Sequence, residues 1–163
     1  MKEIKMVCFD MDGTIADLYG VEGWEPMLRN SIVTPYEVAN PMWDMVRLAN
    51  ILNHMRVLGV EVRIITWLSM DSTEEYKDEV RRAKREWLER MGFPCDHFHG
   101  VAYGTTKADC VRRYLDENEK AILIDDSAKV RKGWHLGETV DPVNTNIVDY
   151  FENFLHNMKH EKF

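Results

Sequence analysis

The sequence predicts an α/β fold in which a parallel sheet lies between two layers of helices. Short apolar segments that suit strands alternate with longer segments whose apolar residues recur at helical spacing. The predicted strands are residues 3–9, 60–66, 97–102 and 121–125. The predicted helices are residues 41–58, 73–91, 106–115 and 145–158. This alternation is typical of strands that pair in parallel through right-handed crossovers, which leaves helices on both faces of the sheet.

The predicted helices are bounded and patterned by residues of recognisable preference. Pro41 suits the first turn of the first helix, and Gly59 suits its termination. The second helix interleaves acidic and basic side chains at spacings that give ion pairs along a helix. Its cations are therefore expected on a solvated face rather than at a nucleic-acid interface. This cluster of cations consists of Arg81, Arg82, Lys84 and Arg85.

One stretch, residues 15–40, does not fit the alternation. It contains two glycines, two prolines and several aromatic residues, and it is too long for a simple connection. It leaves the first strand at the carboxyl end, where ligands bind in open α/β sheets. We therefore expect a small insert, of the cap or flap kind, that roofs a binding site. A packed surface loop without a role is the alternative interpretation.

The composition is that of one ordinary globular domain, predicted over residues 1–163. The hydrophobic share of 45% argues against disorder. No apolar run approaches the roughly 20 residues that span a bilayer, and no segment resembles a secretory signal. The three cysteines lack CxxC pairing and are expected to be free thiols, which favours a cytoplasmic location. The net charge of −7 disfavours a protein that coats nucleic acid.

Paired carboxylates follow two of the predicted strands. Asp10 and Asp12 come where the first strand ends, and a turn at Gly13 would let both face one crevice. Asp125 and Asp126 end the strand 121–125 in the same way. Acids that are crowded together need a cation, a shared proton or solvent. If the two strands are neighbours, these hard oxygen ligands predict a Mg²⁺ site. A solvated acidic turn and helix N-terminal acids are the alternatives.

Two further residues could supply donors and positive charge to a phosphate. Thr66 closes the second strand and offers a hydroxyl group. Lys107 opens a helix, where its charge could offset that of carboxylates and phosphate. The run GTTK around Lys107 is not a P-loop, because the GxxxxGK spacing is absent. Singly, a strand-end threonine and an exposed lysine are unremarkable; their value lies in the order of all four elements.

That order resembles the haloacid dehalogenase superfamily over residues 9–127, and the resemblance implies a Rossmann-like fold. It also implies that Asp10 is the nucleophile of a Mg²⁺-dependent phosphatase and that Asp12 is its general acid and base. Thr66 and Lys107 would hold the phosphoryl group. The Mg²⁺ ligands would be Asp10, the main-chain carbonyl of Asp12, Asp125 and, directly or through water, Asp126. The chemistry agrees, since a carboxylate nucleophile splits one displacement into two easier ones.

The substrate is less constrained. The segment DMDGTIAD resembles the start of the 5'(3')-deoxyribonucleotidase branch, which implies nucleoside monophosphates as substrates. Tyr19, Trp24 and Trp67 could stack on a base, or could simply pack the insert onto the body. Trp67 also departs from the family, in which a small polar residue is expected after Thr66. Phosphorylated nucleic-acid 3'-ends, sugar phosphates and phosphoproteins remain alternatives, as do a phosphotransferase and a non-catalytic binding protein. The sequence indicates no membrane partner, and it leaves the oligomeric state open.

Overall fold

A computed structural model of the chain describes residues 2–161, so the predicted domain is covered except for residues 1, 162 and 163. Seven strands lie within the described residues: β1 Glu3–Phe9, β2 Ala16–Asp17, β3 Asn40–Pro41, β4 Glu61–Trp67, β5 His97–Val101, β6 Glu119–Ile124 and β7 Thr139–Val140. Five of them form one sheet in the order β5-β4-β1-β6-β7, and every pair in it is parallel. The parallel sheet predicted from the alternating pattern is confirmed.

Seven α-helices connect or flank these strands in the described part of the chain. They are α1 Trp24–Arg29, α2 Thr34–Val38, α3 Met45–Val57, α4 Glu74–Arg90, α5 Lys107–Val111, α6 Ala128–Lys132 and α7 Ile147–Glu161. Short 3-10 turns follow β2 at Leu18–Gly20 and α5 at Arg112–Tyr114. None of these helices has the length and apolar character needed to cross a membrane.

The core has two parts, one on each face of the sheet. Side chains alternate along a strand, so Val7 and Phe9 of β1 point to one face and Met6 and Cys8 to the other. The first pair packs in a large cluster with α3, α4 and α7, in which Trp87 is fully buried. The second pair packs in a smaller cluster with α5 and the segment after α6. Helices therefore cover both faces, as the three-layer prediction requires.

The first long helix starts later than predicted. Pro41 lies in β3 rather than in a first helical turn, and α3 begins at Met45. The start is set by Asp44, whose carboxylate accepts a hydrogen bond from the Arg47 amide at 3.1 Å. Such an N-cap satisfies one of the free donors at a helix start. The prediction for Pro41 was wrong because a proline is equally at home in an edge strand.

Residues 15–40 form a small helical excursion whose two ends are joined. β2 and β3 pair antiparallel, with Ala16 opposite Pro41, and α1 and α2 lie between them. Tyr36 of this segment packs against buried residues of α4, and the Trp87 indole donates a 2.8 Å hydrogen bond to the Ala39 carbonyl. The segment is thus attached to the body through α4.

Candidate active site

The acidic motifs meet because β1 and β6 are neighbours. Phe9 and Ile124 are the last paired residues of the two strands, and the Asp10 amide donates to the Ile124 carbonyl at 2.9 Å. The residues that follow each strand therefore leave the sheet side by side. Carboxylate oxygens of Asp10, Asp125 and Asp126 all lie within 4.8 Å of one another. Asp10 thus forms one cluster at the carboxyl edge of the sheet with two acids that follow it by more than a hundred positions in the sequence.

A tight turn after β1 shapes one side of this cluster. The amides of Thr14, Ile15 and Ala16 all donate to the Met11 carbonyl. Gly13 takes a φ of +79°, and an added Cβ there would lie 2.4 Å from Oδ2 of Asp126. Both the conformation and the space require glycine at this position. The prediction of a turn at Gly13 is confirmed, and its physical reason includes the approach of the second acidic motif.

Thr14 joins the two acidic motifs, a role that the sequence did not reveal. Its hydroxyl donates to Oδ2 of Asp10 at 3.0 Å and accepts from the Asp126 amide at 3.2 Å. Thr14 has no exposed surface, so these bonds are shielded from water. A threonine after Asp-x-Asp-Gly is a signal that could have indicated this role.

Lys107 enters the site from the start of α5. Its ammonium lies 2.9 Å from Oδ1 of Asp10 and 2.7 Å from Oδ2 of Asp125. Burial alone lowers the pKa of Lys107, but the charges of Asp10 and Asp125 outweigh this effect and raise the pKa. Lys107 therefore stays protonated, and its positive charge offsets the negative charges of Asp10 and Asp125.

A second lysine in the site was not foreseen. Lys84 was expected on a solvated helix face, and that prediction was wrong: the residue is 1% exposed. Its ammonium lies 2.9 Å from Oδ2 of Asp12 and 2.6 Å from Oγ1 of Thr66. The other cations of the predicted cluster behave as surface residues, such as Arg81, which pairs with Asp78. Helical periodicity could have separated Lys84 from them, because Val80, Trp87 and Leu88 share its buried side.

Thr66 lies behind the cleft rather than on its surface. It has no exposed area, and the only described partner of its hydroxyl is Lys84. The residue after it, Trp67, turns its ring toward Lys107, with the ammonium 5.4 Å from the ring centroid. The Trp67 indole donates to the Thr105 carbonyl at 2.8 Å. The bulky residue thus packs between the ends of β4 and α5 and forms part of the site's wall.

A cleft of about 500 Å³ opens above the carboxylates. Two aromatic pairs contribute to its lining: Tyr19 with Trp24, whose rings are 5.0 Å apart, and Trp67 with Tyr103, at 4.8 Å. The first pair belongs to residues 15–40, and the second belongs to the ends of β4 and β5. The three aromatic residues singled out in the sequence therefore line one cleft, together with Tyr103, which was missed.

The carboxylates are held in a poorly hydrated and mutually repelling environment. Burial raises the pKa of Asp12, and the charge of Lys84 only partly opposes this. Burial and the charge of Asp10 also raise the pKa of Asp125. The pKa of Asp126 is raised to about 7 by the same two causes. Removing such repulsion is what a bound cation does.

The donor set suits a hard divalent cation. Asp10, Asp125 and Asp126 offer only oxygen, and the described residues place no histidine or cysteine among them. Mg²⁺ prefers oxygen ligands and keeps several waters, so three carboxylates are enough. The carboxylate of Asp12 lies outside this cluster and pairs with Lys84 instead. The atom of Asp12 predicted to bind Mg²⁺ is the main-chain carbonyl oxygen, and the pairing of the carboxylate with Lys84 does not occupy that oxygen.

Comparison with known protein families found no matching family model, and no curated protein matches the chain. The resemblance to the haloacid dehalogenase superfamily therefore stays a prediction from its motifs. What the chain does must be inferred from the chemistry of the site.

Proposed function

We propose that this protein is a metal-dependent phosphomonoester hydrolase in which Asp10 attacks phosphorus. The observation that carries the proposal is the cluster of Asp10, Asp125 and Asp126 in an open cleft, with the ammonium of Lys107 paired to the first two. A carboxylate nucleophile, a cation site and a fixed positive charge are the parts that phosphoryl transfer needs. The order of the motifs, which resembles that of the haloacid dehalogenase superfamily, supports the same reaction.

Asp10 is the group best placed to act as nucleophile. Lys107 binds one of its carboxylate oxygens and Thr14 the other, so its orientation is fixed before substrate arrives. One of its oxygens attacks phosphorus and forms an acyl phosphate, while the bond to the ester oxygen breaks. Splitting the displacement in this way lowers the barrier of each half.

Asp12 is the candidate proton donor and acceptor. It lines the cleft two residues from the nucleophile, and Lys84 binds only one of its carboxylate oxygens. Protonated Asp12 would give its proton to the departing alkoxide. In the second half it would take a proton from the water that cleaves the acyl phosphate, which restores Asp10 and releases inorganic phosphate.

A Mg²⁺ ion held by Asp10, Asp125 and Asp126 would supply charge neutralisation to the phosphoryl oxygens. Lys107 would add a second positive charge from the protein itself. The two cations together offset the like charges that otherwise keep a phosphate dianion out of an acidic cleft.

Nucleoside monophosphates are the favoured substrate class. The two aromatic pairs that line the cleft suit a flat ring that is attached to a phosphate, because every base has a face that stacks on aromatic side chains. The cleft also has room for a substrate of this size, since ligand pockets commonly range from about 300 to 1,000 Å³.

The test is phosphate release from a panel of phosphomonoesters, with Mg²⁺ and with chelator. The panel contains nucleoside 5'- and 3'-monophosphates, sugar phosphates, a phosphopeptide and a 3'-phosphorylated oligonucleotide. Asp10→Asn should be inactive, because an amide cannot supply the anionic nucleophile. Asp109→Asn is the matched control, since Asp109 is an exposed aspartate on α5.

The outcomes separate the alternatives. Metal-dependent release from nucleotides supports the proposal in full. Release only from the oligonucleotide, a sugar phosphate or the phosphopeptide keeps the chemistry and changes the substrate. Transfer of the phosphoryl group to an added acceptor in place of water would indicate a phosphotransferase. Full activity in Asp10→Asn would overturn the mechanism.

A further inference from the structure

Lys84 is a buried charged group outside the set of site residues predicted from the sequence. A lysine ammonium has three N–H donors, and each has a partner here. The acceptors are Oδ2 of Asp12 at 2.9 Å, Oγ1 of Thr66 at 2.6 Å and the carbonyl of Trp67 at 2.9 Å. The ring of Tyr36 lies on a further side, 5.0 Å from the nitrogen. No donor is left for a substrate, so the position of the ammonium is set by the protein alone.

The two buried lysines serve different carboxylates. Lys107 pairs with Asp10 and Asp125, whereas Asp12 is the one carboxylate within ion-pair distance of Lys84 in the described residues. Almost none of the Lys84 side chain is exposed to solvent, so solvent screens the Lys84–Asp12 ion pair only weakly. Asp12 therefore has its own fixed countercharge.

This arrangement leaves Asp12 one free oxygen. Lys84 holds Oδ2, no described residue hydrogen-bonds Oδ1, and Asp12 lines the cleft. Because Lys84 belongs to α4 and is tied to the end of β4, the body of the protein determines where Asp12 lies. An anchored carboxylate needs no reorganisation at the moment of proton transfer.

We infer that Lys84 is a positioning residue for Asp12, holding Oδ2 from behind so that Oδ1 exchanges the proton with the leaving group and then with water. This inference deepens the proposed function and rests on it. Lys84 touches neither substrate nor metal; it acts through Asp12.

Such a role has a signature that a purely structural role lacks. Help from a general acid matters most when the leaving group is a poor one, such as an alkoxide. It matters little for p-nitrophenolate, which departs without a proton. Loss of the anchor should therefore lower kcat/KM, which reports the first half of the reaction, much more for an alkyl phosphate than for p-nitrophenyl phosphate. The contribution of a general acid is typically about 10² to 10⁴-fold.

The experiment compares wild-type protein with Lys84→Met on glycerol phosphate and p-nitrophenyl phosphate. We expect kcat/KM, which reports the steps up to formation of the acyl phosphate, to fall about 10²-fold on glycerol phosphate and much less on p-nitrophenyl phosphate. Lys77→Met is the matched control, because Lys77 lies seven residues earlier on α4 and pairs with Glu74 near the surface. This control should keep wild-type rates on both substrates.

Two further variants keep the test decisive. In an Asp12→Asn background, Lys84→Met should add no further loss on glycerol phosphate, because the group it positions is already gone. If Lys84→Met fails to fold, Lys84→Arg retains the charge and alters the hydrogen bonds, and it should show the same dependence on leaving group.

The contrary results are distinct. Equal losses of kcat/KM on the two substrates, or a loss on glycerol phosphate confined to KM, would overturn the inference and leave the proposed function intact. A further loss in the Asp12→Asn background would also overturn it. Wild-type protein that releases no phosphate from any substrate would overturn the proposed function, and this inference with it.

Discussion

Nζ of Lys107 lies 2.9 Å from Oδ1 of Asp10, although the two residues are 97 positions apart in the chain. The contact joins the end of β1 to the start of α5 and is almost fully buried. A buried charge pair is strongly coupled to its surroundings, because loss of either partner leaves the other charge without compensation. The predictions that follow begin from this pair.

Replacing Lys107 should disable and destabilise the protein together. In Lys107→Met, Asp10 and Asp125 repel each other without an intervening ammonium, and breaking a buried pair costs about 3–5 kcal/mol. We expect a large loss of phosphate release and a lower unfolding temperature. Added Mg²⁺ should restore part of the lost thermal stability. Lys120→Met, which removes a partly exposed ion pair with Glu138, is the control for thermal unfolding. Equal unfolding temperatures in the two variants would contradict the pairing.

Asp12→Asn should separate the two halves of the reaction. The amide can neither protonate the leaving group nor accept a proton from water, so turnover should fall by about 10²-fold or more. With p-nitrophenyl phosphate the first half still proceeds, and phosphorylated protein should accumulate. Mass spectrometry of the acid-quenched protein would detect the added phosphoryl group on Asp10. Its absence, with normal turnover, would remove Asp12 from the mechanism.

Gly13→Ala should weaken metal binding without unfolding the protein. The added Cβ would lie 2.4 Å from Oδ2 of Asp126, so that carboxylate must move away from the cluster. Gly59→Ala is the matched control: its φ of +95° is similarly strained, but nothing lies within 4 Å of the new Cβ. Both variants should lose about 1 kcal/mol of stability from backbone strain, and only Gly13→Ala should need more Mg²⁺ for half-maximal stabilisation in thermal unfolding. A comparable effect in the two variants would contradict the geometry.

The aromatic pairs should govern the choice of substrate rather than the chemistry. Tyr19→Ala and Tyr103→Ala each remove one half-exposed ring from the lining of the cleft. We expect KM for nucleoside monophosphates to rise roughly tenfold, since stacking on a base contributes about 1–3 kcal/mol. KM for glycerol phosphate should not change, because that substrate has no ring. A parallel rise for both substrates would indicate that the rings shape the phosphate site itself.

Asp96 should make stability depend on acid pH at a place remote from the cleft. Its carboxylate accepts hydrogen bonds from the Arg56 guanidinium and from the Val62 amide. Burial opposes these bonds, but together they hold the pKa of Asp96 below its usual value. The stabilisation is therefore complete above about pH 4 and is lost as the pH falls through the lowered folded-state pKa.

Asp96→Asn tests this pH dependence. At pH 7 the variant should be about 1 kcal/mol less stable than wild-type protein, and the difference should shrink as the pH approaches about 2. Asp78→Asn removes an exposed ion pair and should change stability little at either pH. Chemical denaturation at both pH values measures the two differences. If the difference in stability between Asp96→Asn and wild-type protein were as large near pH 2 as at pH 7, the effect would come from the shape of the side chain rather than from its charge.

Much of the fold followed from local patterns. The strand β1 was predicted with the bounds it has, and β4, β5 and β6 within one or two residues. The antiparallel pair β2 and β3 and the two-residue strand β7 were not predicted, because segments so short have no detectable periodicity. The helix starts were less accurate where several residues compete to cap them, as Asp44 and Pro41 do.

The acidic residues of the candidate site could be predicted from the sequence because they follow the ends of predicted strands. A parallel sheet brings the carboxyl ends of neighbouring strands together, so sequence order alone indicated that Asp10 and Asp125 could meet. The sequence did not show whether β1 and β6 are neighbours in the sheet, and the meeting of these acids depends on that. The strand order of the sheet is decided by packing between distant segments.

The sequence by itself determined the alternation of strands and helices and the chemical types of residue at the strand ends. Only the tertiary structure decided which cation each carboxylate of the site meets. Lys84 shows why: charge patterning along α4 favours solvent, yet the burial of Trp87 and Leu88 turns the same helix face inward and carries a lysine to Asp12. The buried ammonium is tolerated there because each of its three N–H donors has an acceptor and the charge of Asp12 balances its own. These partners come together only when the chain folds.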